Sequence, residues 1–150
     1  MSQTTVPARE MIFQVQAGDA VTWLSLTGMN NFNLSPGENE EVEDTTTFDS
    51  DGAYEEVVMQ RGASVACQGF KMEDDTTGVQ DVGQARIEEL ASKTGGASRG
   101  KVRFRHIRHS QWKVWTATFR LGDQGGGNNN NNTWSCTVRR VGKTQLVAAP

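Results

Sequence analysis

Long apolar runs are absent from this sequence. None approaches the roughly 20 residues that span a bilayer, and residues 1–10, MSQTTVPARE, carry neither a basic region nor an apolar stretch. Membrane insertion and export by a signal peptide are therefore not expected. Cysteine is scarce. Cys67 and Cys136 stand 69 residues apart with no CxxC or CxxH beside either, which argues against a zinc site. Each lies in an alternating apolar stretch, so both are expected as buried thiols of a protein made in a reducing compartment, with a disulfide between them left open. Proline occurs three times, and beside abundant Val, Thr, Trp and Gly this points to β structure with tight turns. Leu, Ile, Val and Phe supply 29 of the 150 residues, just under the share of about one fifth at which disorder sets in. A net charge of -3 argues against disorder. One domain is expected, with a core small enough that partner subunits supply part of the buried surface.

The small net charge hides a strong asymmetry. Residues 1–90 hold 17 acids against the four bases Arg9, Arg61, Lys71 and Arg86, whereas residues 91–150 hold 11 bases against Asp123 alone. Folding can pair the halves internally. Self-association can equally set the acidic face of one copy against the basic face of the next.

Alternation of apolar and polar residues predicts strands near 11–16, 20–26, 31–35, 39–44 and 62–71, then 101–108, 111–121 and 133–141. Within 62–71, Val65 and Cys67 share one face while Ala66, Gln68 and Phe70 share the other. Val102 and Phe104 form a face, as do Trp134, Cys136 and Val138. In 111–121 the apolar parity changes between Val114 and Trp115, the mark of a β-bulge or of a strand buried on both sides. Residues 45–61 open with polar turn formers and become apolar only later, and they read as a long loop. A helix is predicted over about 77–94: Thr77 and Gln80 make a capping box, Val79, Gly83, Ile87, Leu90 and Ala91 follow at helical spacing, and Gly95 and Gly96 end it. Residues 122–132, GDQGGGNNNNN, are expected to form a mobile, solvent-exposed hairpin connection too polar and Gly-rich to pack.

Candidate chemistry is thin. Gly95 to Lys101 fits GxxxxGK, but a helix precedes it, a strand follows, and Val102 stands where a P-loop needs Ser or Thr, so a plain turn is expected. His106 and His109 have no Cys or carboxylate cluster beside them, and a metal site needs three or four converging ligands. Asp49-Ser50-Asp51-Gly52 breaks the calcium-loop pattern after two Asp and reads as a turn. Lys101 to Trp115 interleaves Arg103, Arg105, His106, Arg108 and Lys113 with Phe104, Trp112 and Trp115, the pairing of cations and aromatics that single-strand nucleic-acid binders use. Against that stands the expectation that the aromatics face the core and the bases pair with the acidic half. No Ser/His/Asp or Cys/His signature appears, so neither catalysis nor a cofactor or metal is expected.

The order of elements carries a resemblance. An alternating β segment leads into the polar loop Thr45 to Glu56. A strand follows, then a helix with Ile87-Glu88-Glu89-Leu90, the strand Val102-Arg103-Phe104, a Trp-rich strand, a Gly/Asn hairpin, and the ending Thr137-Val138-Arg139-Arg140-Val141-Gly142-Lys143. Across roughly residues 11–148 this resembles the tail tube proteins (major tail proteins) of long, non-contractile-tailed bacteriophages. The resemblance implies a β-sandwich or small barrel with one flanking helix, residues 1–150 forming a single domain with arms at 1–10 and 143–150. It implies a virion protein assembled in the bacterial cytoplasm, six copies to a ring and rings stacked into a tube that conducts phage DNA without binding it specifically. Tape measure, tail terminator and tail tip proteins are the implied partners. The loop 45–61 maps onto the family's contact between rings, with Phe48 and Tyr54 as anchors and Asp49, Asp51, Glu55, Glu56, Val57 and Met59 beside them. Arg139 and Arg140 of a neighbour are the basic partners expected for Glu55 and Glu56. Glu41 and Glu43, which alternate away from Phe32, Leu34 and Val42, are the candidates for an acidic lumen wall. The alternatives are a single-strand nucleic-acid-binding β-barrel and another phage structural subunit, a connector or decoration protein.

Overall fold

A computed structural model describes residues 2–149. Among these described residues nine strands form: β1 (Met11–Gln16), β2 (Trp23–Ser25), β3 (Met29–Ser35), β4 (Glu41–Asp44), β5 (Glu56–Gln60), β6 (Ser64–Phe70), β7 (Gly100–His106), β8 (Gln111–Leu121) and β9 (Thr133–Ala148). Among the described residues the one α-helix, α1, is Val82–Ala91. Seven strands make one antiparallel sheet in the order β2-β1-β7-β8-β9-β6-β3, curled into a half-barrel, while β4 and β5 pair separately. The fold is thus mainly β with a single flanking helix, as the sequence led one to expect. Among the described residues no helix is long and apolar enough to cross a membrane.

Period-2 patterning places the core on the inner face of the curl. Phe13 and Val15 from β1, Val102 and Phe104 from β7, and Val65 and Cys67 from β6 meet Trp134, Cys136 and Val138 from β9, all nearly or wholly buried. Phe104 is the aromatic hub: Trp115 packs edge-on at 5.0 Å, Phe32 lies at 5.7 Å and Phe13 at 6.3 Å, contacts that add to plain area burial. The expected parity change in β8 is a bulge, with the register against β9 shifting between Val114 and Thr116. Trp115 thereby enters the core while Val114 and Trp112 lie on the opposite face. Cys67 and Cys136 are direct cross-strand partners, buried and free. The hydrogen bond between them and their burial push the Cys67 thiol well up.

The helix is shorter than predicted. Thr77 is not its cap, because the Asp74 carboxylate accepts the N–H groups of Thr76 and Thr77 (both 2.9 Å) and folds 74–78 into a turn. Asp81 caps the helix instead, accepting from the Gln84 N–H at 3.2 Å. Ile87 and Leu90 then enter the core. Gly83 lets α1 lie directly on the β2 end: a Cβ there would sit 2.6 Å from the Ser25 carbonyl oxygen. At the other end of the chain, residues 143–148 do not form a free arm. They continue β9, with Leu146 opposite Lys113 and Ala148 opposite Gln111.

Candidate assembly interface

Residues 45–61 are not one loop. Their second half is β5, paired antiparallel with β4 so that Val42 faces Val58, Glu43 faces Val57 and Asp44 faces Glu56. The result is a hairpin outside the main sheet, and of its strand residues only Val58 is half-buried. Its tip is ordered by its own hydrogen bonds. Thr45 N–H donates to the Glu55 carbonyl at 3.0 Å, and Glu55 N–H donates to the Thr46 hydroxyl at 2.9 Å. A 3-10 turn over Phe48–Ser50 is closed by the Thr47 N–H donating to the Ser50 hydroxyl at 3.0 Å and the Ser50 N–H donating to the Thr47 carbonyl at 3.1 Å. Asp51 and Gly52 then reverse the chain with φ of 52° and 82°, the left-handed region that glycine enters without strain.

This hairpin gathers the predicted contact residues. Phe48, Asp49, Asp51 and Tyr54 are at the tip, Glu55 sits just before β5, and Glu56, Val57 and Met59 are in it. Phe48 is fully exposed, and Tyr54, Val57 and Met59 are about half exposed or more. Glu41 and Glu43 also fall here, on β4, rather than on the main sheet. The Thr46 hydroxyl and N–H beside Asp44 hold its carboxyl below the usual range. The Tyr54 hydroxyl donates to Glu56 at 3.0 Å, which raises its own pKa.

The two predicted basic partners separate. Successive strand residues point to opposite faces. Arg140 turns toward the core side, its guanidinium 5.8 Å from the Trp115 ring and donating to the Thr144 hydroxyl at 2.8 Å. Arg139 is exposed on the outer face, opposite Thr118 on one side and Ser64 on the other.

Sequence reasoning missed the arrangement of the Trp-rich stretch. Trp112 is buried but not in the core: it lies on the outer face under two arginines, Arg103 at 4.2 Å and Arg105 at 4.8 Å from its ring centre. Arg103 also covers Trp23 at 4.5 Å and donates to the Gln14 side-chain oxygen at 2.7 Å. Burial, with Arg105 close by, lowers the Arg103 pKa. Contrary to the expectation that the bases of this stretch pair with the acidic half of the chain, Lys101, Arg103, Arg105 and Lys113 make no ion pair among the described residues. Among the described residues only His106 and Arg108 of the stretch pair in that way, both meeting Glu10. The i, i+2 spacing of Arg103 and Arg105 was the available signal, for it puts both on one strand face. His106 itself is buried, its Nδ1 accepting the Arg108 N–H at 3.2 Å and its Nε2 3.1 Å from Glu10. Among the described residues no group of three or more His, Cys, Asp or Glu converges as a metal site would require.

No protein-family model and no curated protein sequence matches the chain. Solved structures do. A chain of the tail of an empty gene transfer agent particle, determined by helical refinement with C6 symmetry, superposes with a TM-score of 0.75 at 14% identity, covering 96% of this chain and 100% of that one. A chain of the virion of the native gene transfer agent particle gives 0.65 at 14% identity, covering 97% and 100%. The fold is therefore shared with chains of the tail and virion of gene transfer agent particles.

Proposed function

We propose that this chain is a structural subunit of a phage-type tail that assembles into six-copy rings stacked as a tube for DNA. The observation that carries the reading is the β4–β5 hairpin. It is an ordered acidic arm that shows Phe48, Tyr54, Val57 and Met59 to solvent, and a lone two-stranded hairpin is marginal in water until something packs on it. The fold shared with a C6-symmetric tail supports the same reading. The hairpin seats on the next ring through Phe48 and Tyr54, and DNA passes through without specific binding. Any acidic lining that Glu41 and Glu43 give the bore is set by where the hairpin seats. Tape measure, terminator and tip proteins are the partners, met in the bacterial cytoplasm before the virion is complete.

Replacing residues 47–58 by a short Gly/Ser linker tests this. The variant keeps the circular dichroism of the parent and loses the tubes or rings seen by electron microscopy of the concentrated parent protein. Normal tubes from the variant would move the ring contact elsewhere.

The rival reading, a single-strand nucleic-acid binder, is favoured by the cations of β7. It needs aromatic faces free to stack on bases, and Trp112 is 5% exposed beneath its arginines. Oligonucleotide binding at physiological salt should accordingly be weak and unchanged by Trp112→Ala.

A further inference from the structure

The fold sorts the charges more sharply than the sequence halves do. None of the seven strands of the main sheet contains Asp or Glu, yet they carry eight Lys and Arg residues, all in β7, β8 and β9. Residues 38–60 are the reverse, with nine acids and no Lys or Arg. Among the described residues no ion pair engages any of those eight bases, and Glu40, bound to Arg61 at 3.6 Å, is the only acid of the 38–60 segment that has one.

The pleat then decides which bases are available. Val102, Phe104, Ala117 and Val138 face the core, so Lys101, Arg103, Arg105, Arg120 and Arg139 fall on the outer face. Arg103 and Arg105 are spent on the Trp23 and Trp112 rings. Arg120 and Arg139 are exposed on adjacent strands and diagonal to each other, Arg120 opposite Thr137 and Arg139 opposite Thr118. Around them the face is neutral and polar, with Gln68 and Asn33 on the strands beyond.

We infer that this outer sheet face, centred on Arg120 and Arg139, is the docking surface for the acidic β4–β5 hairpin of a second copy of this chain. The inference rests on the hairpin being a contact between subunits and names the surface that receives it. Charge complementarity selects the occupant: both signs come from one chain, so every copy both offers a hairpin and receives one, and a head-to-tail contact of this kind propagates. A nucleic acid would also meet the charge requirement, but the two tryptophans that would stack its bases are already covered by arginine. Arg139 keeps the role expected of it, now with Arg120 rather than Arg140 beside it.

A charge-swap test separates this surface from the reading beneath it. Arg120→Glu with Arg139→Glu places acids opposite the incoming acidic hairpin, and like charges across an interface are costly enough to raise the concentration needed for assembly by about tenfold or more. Both sites are exposed, so circular dichroism stays that of the parent. Glu41→Lys with Glu43→Lys and Glu56→Lys gives the same defect from the other side. Mixing the two variants restores co-assembly by sedimentation, since each then finds its opposite. Assembly of the arginine variant at the parent's concentration, or failure of the mixture to recover, overturns the pairing while leaving self-assembly intact. Oligonucleotide binding that the arginine variant alone abolishes, with assembly unchanged, assigns the face to nucleic acid and overturns it too. A parent chain that never assembles overturns self-assembly and this pairing with it.

Discussion

Two exposed or buried apolar residues with similar chemistry do opposite work here. Ile87 is wholly buried between α1 and the sheet, so Ile87→Ala should cost about 2–5 kcal/mol, read as a lower urea midpoint. Phe48→Ala should leave that midpoint unchanged, because the ring touches solvent on every side, and should weaken assembly instead. Asp19 closes the β1–β2 turn by accepting the Thr22 and Val21 N–H groups and the Thr22 hydroxyl. These hold its carboxyl at about 2, against an ordinary 3.8. A depressed folded value means its contribution is full above the unfolded pKa and is lost as pH falls from 3.8 to about 2. Asp19→Ala should therefore flatten the acid limb of a urea-midpoint titration in that window.

At the level of elements, close packing outweighs propensity. Alanine is the better helix former, yet Gly83→Ala should destabilise by roughly 1–3 kcal/mol, since its Cβ would run into the Ser25 backbone and lift α1 off β2. An increase in the urea midpoint would show that the helix shifts freely. The hairpin shows the converse, local order without tertiary support. Its tip bonds are its own and its strands are exposed, so the amides of β4 and β5 should exchange quickly in the free subunit and slowly once assembled. Equal exchange in both states would mean that the hairpin stays unpacked.

For the whole molecule, segregated charge makes assembly an electrolyte measurement. Contacts between exposed acids and bases weaken as salt shortens the screening length to about 8 Å at physiological strength and about 3 Å at 1 M. The concentration needed for assembly should rise with sodium chloride over that range. An assembly insensitive to salt would place its stability in the apolar anchors Phe48 and Tyr54 alone.

Much of this was legible in one dimension because it depends on neighbours in the chain. Alternation located most of the strands and the core faces of β6, β7 and β9, the parity break between Val114 and Trp115 marked the bulge, and the paired charge blocks were plain. What failed depended on who competes for a group in space. Thr77 looks like a helix cap until Asp74 takes its N–H, and residues 45–61 look like a loop because β5 pairs with β4, outside the main sheet, and buries little. Residues 143–148 look like an arm because strand content there comes from pairing with β8. The tertiary structure also decided the sign of two surfaces: pleating split Arg139 from Arg140, and the stacking of Arg103 and Arg105 on Trp112 turned an apparent nucleic-acid platform into a covered one. Local sequence sets backbone periodicity, whereas the face a side chain meets, and hence what it binds, is set by register between strands far apart in the chain.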